Sequence, residues 1–122
     1  MEFAVRVFAF CREFATTWDT RCVGQQLIES ATSAAMNYRA CGRSRSTREF
    51  ISKLGVVVEE ADETVGWLEF IARSNLARGE ALDSLLKEAR ELVAIFAASH
   101  RTAKAHHANT SRDRITRPQM AR

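Results

Sequence analysis

Glu59, Glu60, Asp62 and Glu63 place four carboxylates within five residues. On a helix, Glu59 and Glu63 share a face at spacing four, as do Glu60 and Glu63 at spacing three. Inward carboxylates of this kind hold metals in helical bundles when Glu-x-x-His pairs on other helices complete the ligand set. This sequence has no Glu-x-x-His pair. Its three histidines, His100, His106 and His107, gather towards the C terminus. The acidic run therefore reads as a solvated or subunit-contacting face, with a metal-binding or enzymatic bundle as the alternative. Nucleophilic chemistry finds no better footing. Cys11 and Cys41 have no histidine at a helical neighbour position, and Ser44 and Ser46 sit in a corner. The cysteines are three, Cys11, Cys22 and Cys41. Their odd number and wide spacing match neither a disulfide framework nor a zinc site, which leaves reduced thiols. Catalytic and metal-ligating residues are thus none, and no cofactor is called for.

A second concentration of charge is basic. From Asn37 to Leu54 the chain reads NYRACGRSRSTREFISKL. Arg39, Arg43, Arg45, Arg48 and Lys53 fall within it. Its CGRSRS segment lacks the glycine-rich, lysine-ending pattern of a phosphate loop. Two readings stand. The five side chains form a solvated or inter-subunit salt-bridge corner, or they contact a nucleic-acid phosphate backbone. Tyr38 is the one nearby aromatic polar enough to stack while exposed, which is thin support for single-strand binding.

These residues must be positioned by helices. One proline and five glycines in 122 residues supply too little turn chemistry for an all-β chain. Phe3, Val7, Phe10 and Phe14 recur at helical spacing and predict a first helix from about Phe3 to Thr17, with a link at Asp19–Cys22 after Trp18. A second helix, about Val23 to Ala40, carries Leu27, Ala31, Ala34 and Tyr38 on one stripe. Gly42 then suits the left-handed residue that follows a helix. Ser46-Thr47-Arg48-Glu49 matches a capping box and opens a third helix. Its seam of Phe50, Leu54, Val57, Ala61, Val65, Leu68 and Ala72 reaches about Arg73. Gly55 and Gly66 lie within it, and close packing is the expected reason for both. The fourth helix, about Glu80 to Lys104, has its stripe at Leu82, Leu85, Ala89, Leu92, Phe96 and Ser99.

Four amphipathic helices with short links predict an all-α, antiparallel up-down four-helix bundle over residues 1–104. Residues 105–122 are predicted to form a short mobile basic C-terminal tail. From Arg101 onward there are six basic residues against one acid, whereas the first 100 residues carry a net charge of −2. The basic isoelectric point therefore comes from the C-terminal segment. No apolar run approaches the ~18 residues that span a bilayer, so the expected location is the cytoplasm and no membrane partner is expected. Large apolar residues beside the stripes, among them Phe8, Ile28, Ile51, Val58, Trp67, Ile71 and Ile95, exceed what one small core buries and predict an interface.

Gly24 to Ile71 also resembles a known family signature. The matches are Gln26-Leu27, Thr32-Ser33, Asn37-Tyr38-Arg39, Arg43 to Ser46, Glu49-Phe50-Ile51, Lys53-Leu54-Gly55, Glu59 to Glu63 and Trp67-Leu68-Glu69. Leu85 to Lys104 resembles the same family's last helix. The family is the bacterial four-helix-bundle family first noticed in intervening sequences of large-subunit ribosomal RNA genes. This sequence departs from it at Ala34-Ala35, where many relatives carry valine-glycine, and at Glu29, where many carry a basic residue. The resemblance implies a bundle that forms a ring-like homo-oligomer, often a pentamer, with no established enzyme activity. A related branch serves diversity-generating retroelements as an accessory protein, working with a reverse transcriptase and nucleic acid. The partners implied are thus the chain itself and RNA or DNA.

Overall fold

The computed structural model describes residues 1–116 in backbone and 1–113 in side chains. Four helices follow one another: α1 (Glu2–Phe14), α2 (Trp18–Cys41), α3 (Thr47–Arg73) and α4 (Glu80–Thr116). Each packs on its neighbour in sequence, and α1 also meets α4, so the bundle closes in the order α1–α2–α3–α4. This is the predicted up-down architecture.

The third helix begins where its capping box demands. Ser46 is extended, and its hydroxyl accepts from the Glu49 backbone N–H at 3.1 Å. Glu49 reaches back, but to the N–H of Arg45 at 3.0 Å rather than to that of Ser46. Its carboxylate also bridges Lys53 Nζ at 2.9 Å. Those two interactions, Lys53 first, hold the Glu49 carboxyl below its ordinary value. At the other end of α3 the chain turns on Asn75, which takes a left-handed φ of 57°. Leu76 N–H bonds to the Ile71 carbonyl at 3.2 Å, and Asn75 N–H to the Ala72 carbonyl at 3.3 Å. This pattern is a Schellman motif, and its Leu76–Ile71 apolar contact belongs to the core.

The α3 seam carries the core. Leu54, Val57, Leu68 and Ile71 are at most 2 % exposed. Leu68 and Ile71 share a cluster with Leu27 of α2 and Leu82 and Leu85 of α4, while Leu54 and Val57 form a second cluster with Cys41. Ile71, predicted to lie beside the seam, is fully buried in the core. Among the described residues, Thr64 and Ser30 are the two buried polar ones, and their hydroxyls meet at 3.0 Å between α2 and α3. The Ser30 hydroxyl lies 3.1 Å from the Leu27 carbonyl and that of Thr64 2.9 Å from the Glu60 carbonyl, so neither is stranded.

Five local predictions need correcting. The first corner is Ala15–Thr17, and Trp18 already belongs to α2. Thr17 caps that helix: its N–H donates to Thr20 Oγ1 at 3.0 Å, and its hydroxyl donates to the Asp19 carboxylate. The buried stripe of α1 is Ala4, Val7 and Cys11, with Phe3, Phe10 and Phe14 along its edges. The reason is close approach. A Cβ on Gly24 would sit 3.2 Å from Ala15 Cβ and 3.9 Å from Cys11, so α2 lies close against the C-terminal end of α1 there. Gly42 is right-handed, with φ −66°. The link after α2 closes through successive short bonds, Arg43 N–H to Ala40 and Ser44 N–H to Cys41, and needs no left-handed residue. Gly66 is exposed, and a Cβ there would touch nothing, whereas one on Gly55 would press on His100 Nε2 at 3.3 Å. Close packing thus explains Gly55 alone. Finally, α4 does not stop at Lys104. It continues to Thr116, two residues before the sole proline, because the intervening residues contain no helix breaker. Residues 105–116 of the expected tail are helical, and 117–122 lie outside the described residues.

Two stability measurements follow from this packing. Leu68→Ala should lower the unfolding free energy by about 2–5 kcal/mol, through lost burial and the cavity left behind. Gly66→Ala should raise it by up to about 1 kcal/mol, because the new methyl meets open space and relieves the glycine penalty. Urea unfolding of both variants checks the pair. A loss on Gly66→Ala would show that this exposed face is covered in solution. Ser46→Ala should cost about 1 kcal/mol. The Glu49 contribution has the opposite pH behaviour to a histidine's. Its folded pKa is depressed, so its stabilisation is present above the ordinary value of 4.5 and is lost as pH falls through the depressed one. Acid titration of Glu49→Gln against the parent, monitored by helicity, should show the difference between them vanishing below that range.

Candidate nucleic-acid interface

The corner between α2 and α3 places the predicted basic residues at one end of the bundle. Arg39 lies in the last turn of α2, Arg43 and Arg45 in the link, and Arg48 in the first turn of α3. All four are exposed, and among the described residues no ion pair involves any of them. Lys53 differs. It is half-buried and bridges Glu49 one turn earlier, so the structure separates it from the four arginines. Two helix ends meet here. The arginines near the end of α2 oppose its negative dipole end, while the positive start of α3 adds to the field of Arg48.

Beneath the arginines the corner is anchored by a small apolar cluster. Cys41, Leu54 and Val57 are buried against Phe50 and Phe96. Burial pushes the Cys41 thiol up, and it pushes that of Cys11 to about 11, so both are poor nucleophiles. Cys22 is exposed, and the three cysteines are unbridged. Tyr38 is half exposed, but its ring packs 5.1 Å from that of Phe96. One side of its ring is therefore engaged with α4. Ser44 Oγ is buried in the link, and no group among the described residues satisfies it.

The Phe96 and His100 contacts also fix α4 relative to this corner. His100 lies over Gly55, and the two helices are antiparallel. One heptad back from Gly55 is Arg48, and one heptad on from His100 is His107. The turn of Arg48 is thus level with that of His107. Beyond about residue 109, α4 runs past the start of α3 and projects from the bundle. Arg101 and Lys104 lie beside the corner and Arg112 on the projecting stretch, and all three are exposed. Sequence reasoning ended the helix at Lys104 and set Arg112 in a tail, without bringing any of the three to this corner. The signal that could have placed them was the absence of glycine or proline between Ala81 and Pro118.

The acidic run has a different setting. Glu59, Asp62 and Glu63 are exposed on α3, and Glu60 is half-buried. Desolvation, then repulsion from Glu63 and Glu59, raises the Glu60 carboxyl. Glu63 accepts from Trp67 Nε1 at 3.4 Å. Among the described residues, no three His, Cys, Asp or Glu side chains converge as a metal-holding group. None of the helices among these residues is long and apolar enough to cross a membrane.

An apolar cleft also opens on this side of the bundle. Helix α1 has 13 residues against 24 in α2. It leaves part of the groove between α2 and α4 uncovered. A cleft of about 350 Å³ opens there, between Ala34, Ala35 and Tyr38 on one wall and Leu92, Ile95 and Phe96 on the other. On the outer face of α1, Met1, Val5 and Phe8 are all about half exposed. Of the apolar residues expected at an interface, Phe8 and Ile95 are exposed, Ile28, Ile51, Val58 and Trp67 are half-buried, and Ile71 is core.

Comparison with known proteins places this architecture. The family model of the 23S rRNA-intervening sequence protein matches residues 1–98. Among solved structures, the chain is similar to a protein of unknown function from the S23 ribosomal protein family of Bacteroides thetaiotaomicron VPI-5482. The two are 27% identical with a TM-score of 0.72, over 81% of this chain and 92% of that one. No curated protein matches the chain. The matched region takes in all of α1, α2 and α3, the three connecting corners and α4 as far as the Phe96 contact. The chain belongs to the 23S rRNA-intervening sequence protein family.

Proposed function

We propose that this chain is a non-enzymatic, self-associating bundle of the cytoplasm whose basic end contacts the phosphate backbone of nucleic acid. The observation that carries the reading is the set Arg39, Arg43, Arg45 and Arg48, exposed together at one end with no ion pair among the described residues. Arginines engaged in structural salt bridges would show carboxylate partners. Here the one nearby acid, Glu49, is committed to Lys53 and to the Arg45 backbone. Planar guanidinium groups suit phosphate geometry. With Tyr38 packed on Phe96, the contact is electrostatic and tolerant of sequence.

Self-association rests on the apolar surface. Val5, Phe8 and Ile95 are 58 %, 49 % and 57 % exposed, and Trp18 is 77 % exposed. A short α1 with apolar residues on both faces is a helix that gains from being covered. Family resemblance favours a closed ring of five copies. A ring uses two different patches on each chain, which agrees with exposed apolar residues on separate helices. Repeating the basic end around an axis adds weak contacts by multivalency.

Two measurements test the proposal. Light scattering on the eluting protein should give a mass well above one chain, and a monomer at micromolar concentration would contradict self-association. For the basic end, the full chain should bind RNA or DNA at low salt. An Arg43→Glu, Arg45→Glu double variant of unchanged mass and helicity should lose at least about tenfold in affinity. Equal binding by the two proteins would show the corner to be structural.

A further inference from the structure

We propose that the C-terminal half of α4 supplies the second wall of a single polyanion-binding surface, and that its ligand is the backbone of a nucleic-acid duplex. This rests on the proposed contact at the α2–α3 corner and extends it to residues outside that corner. The two basic segments are far apart in sequence, and the bundle brings them to one end. Three contacts establish the placement. Phe96 packs in the cluster of Cys41, Leu54 and Val57, its ring lies 5.1 Å from Tyr38, and His100 covers Gly55. From that point α4 continues as helix to Thr116 beside and beyond the corner.

The charges on this stretch are arranged rather than scattered. Arg101 and Lys104 are three residues apart, and Arg112 is eight beyond Lys104, so all three fall on one face of α4. That face is offset from the half-buried stripe of His100, Ala103, His107 and Thr110. It therefore stays open to solvent while the other face meets the bundle. From Arg101 to Arg112 it spans about 16 Å. No ion pair among those found in the described residues involves Arg101 or Lys104. Residues 37–53 and 98–113 together hold eight arginines and lysines against two acids, Glu49 and Asp113. The rest of the bundle is acidic, so the field is concentrated at this end.

The surface fits a duplex better than a single strand. Non-specific single-strand binding draws on aromatic faces that stack bases. At this end Tyr38 is packed on Phe96, and Phe50 is held in the corner cluster. What remains is chiefly charge, and such a surface favours the ligand with the denser phosphate array. Duplex DNA carries one phosphate per ~1.7 Å of axis.

The test uses the full chain, a short DNA duplex, the RNA duplex of the same sequence, and one isolated strand. Affinity is measured by fluorescence anisotropy across a salt series. The variants are Arg101→Gln with Lys104→Gln, the charge-preserving Arg101→Lys with Lys104→Arg, and Arg43→Glu with Arg45→Glu. The proposal expects the parent to bind duplex more tightly than single strand. It expects the glutamine variant to lose about two from the slope of log affinity against log salt and at least about tenfold in low-salt affinity. The charge-preserving variant should keep both. Helicity and assembled mass should be unchanged in all three. If the glutamine variant binds like the parent while the corner variant does not, the α4 surface is overturned and the corner stands. If the parent binds no duplex at low salt, both fall. Tighter binding to the single strand overturns the choice of ligand.

Discussion

The register of α3 against α4 is the constraint on which the rest depends. Gly55 has no side chain, so His100 comes down onto its backbone, and Phe96 one turn earlier fills the space beside Leu54 and Val57. A methyl at Gly55 would meet His100 at 3.3 Å and force it to shift. With this contact set, the lengths of the helices decide where each ends. Helix α3 begins at Thr47, α4 has not yet ended there, and the excess of α4 projects at the end occupied by the arginine-rich link. A one-turn slip would carry the basic face of α4 about 5.4 Å along the axis relative to that link. The convergence of charge is therefore a consequence of packing in the core, at a glycine that carries no charge itself.

A second consequence follows from unequal lengths. Helix α1 closes only part of the groove between α2 and α4, since its 13 residues face helices of 24 and 37. The core under it is well filled, with Val7 and Leu27 fully buried. Past its N-terminal end the groove is lined by alanines and by Ile95 and Phe96, and remains open. Small side chains there leave room that a larger residue would occupy. The proposed self-association has its physical basis in this surface, which the monomer does not cover.

Much of the fold was legible because the strongest signals were local. The capping box at Ser46 and Glu49, the start of α4 at Glu80 and the Leu54–Val57–Ala61–Val65–Leu68 seam fall where periodicity and capping put them. Errors arose where a local preference met a tertiary alternative. Large rings looked like the natural core stripe of α1, but its buried residues are Ala4, Val7 and Cys11, the last lying close against Gly24 of α2. Gly42 suggested a left-handed stop, while the left-handed positions are Asn75 and Gly79 at the next corner. The loss of apolar periodicity after Lys104 suggested the end of a helix. It marks the end of the bundle's cover, while backbone hydrogen bonding carries α4 on to Thr116. The four corner arginines were readable from composition. That Lys53 is drawn away by Glu49, and that Arg101 and Lys104 join the same end, depended on distances that spacing does not encode.

The convergence itself is open to direct measurement. A paramagnetic label at position 45, introduced as Arg45→Cys in a Cys22→Ser background, leaves the two buried cysteines in place. Amide signals across α4 then report their distance from the label. The account predicts strong broadening around Arg101 to His107 and none around Glu80 to Leu86. Broadening at the start of α4, with sharp signals from Arg101 onward, would contradict it.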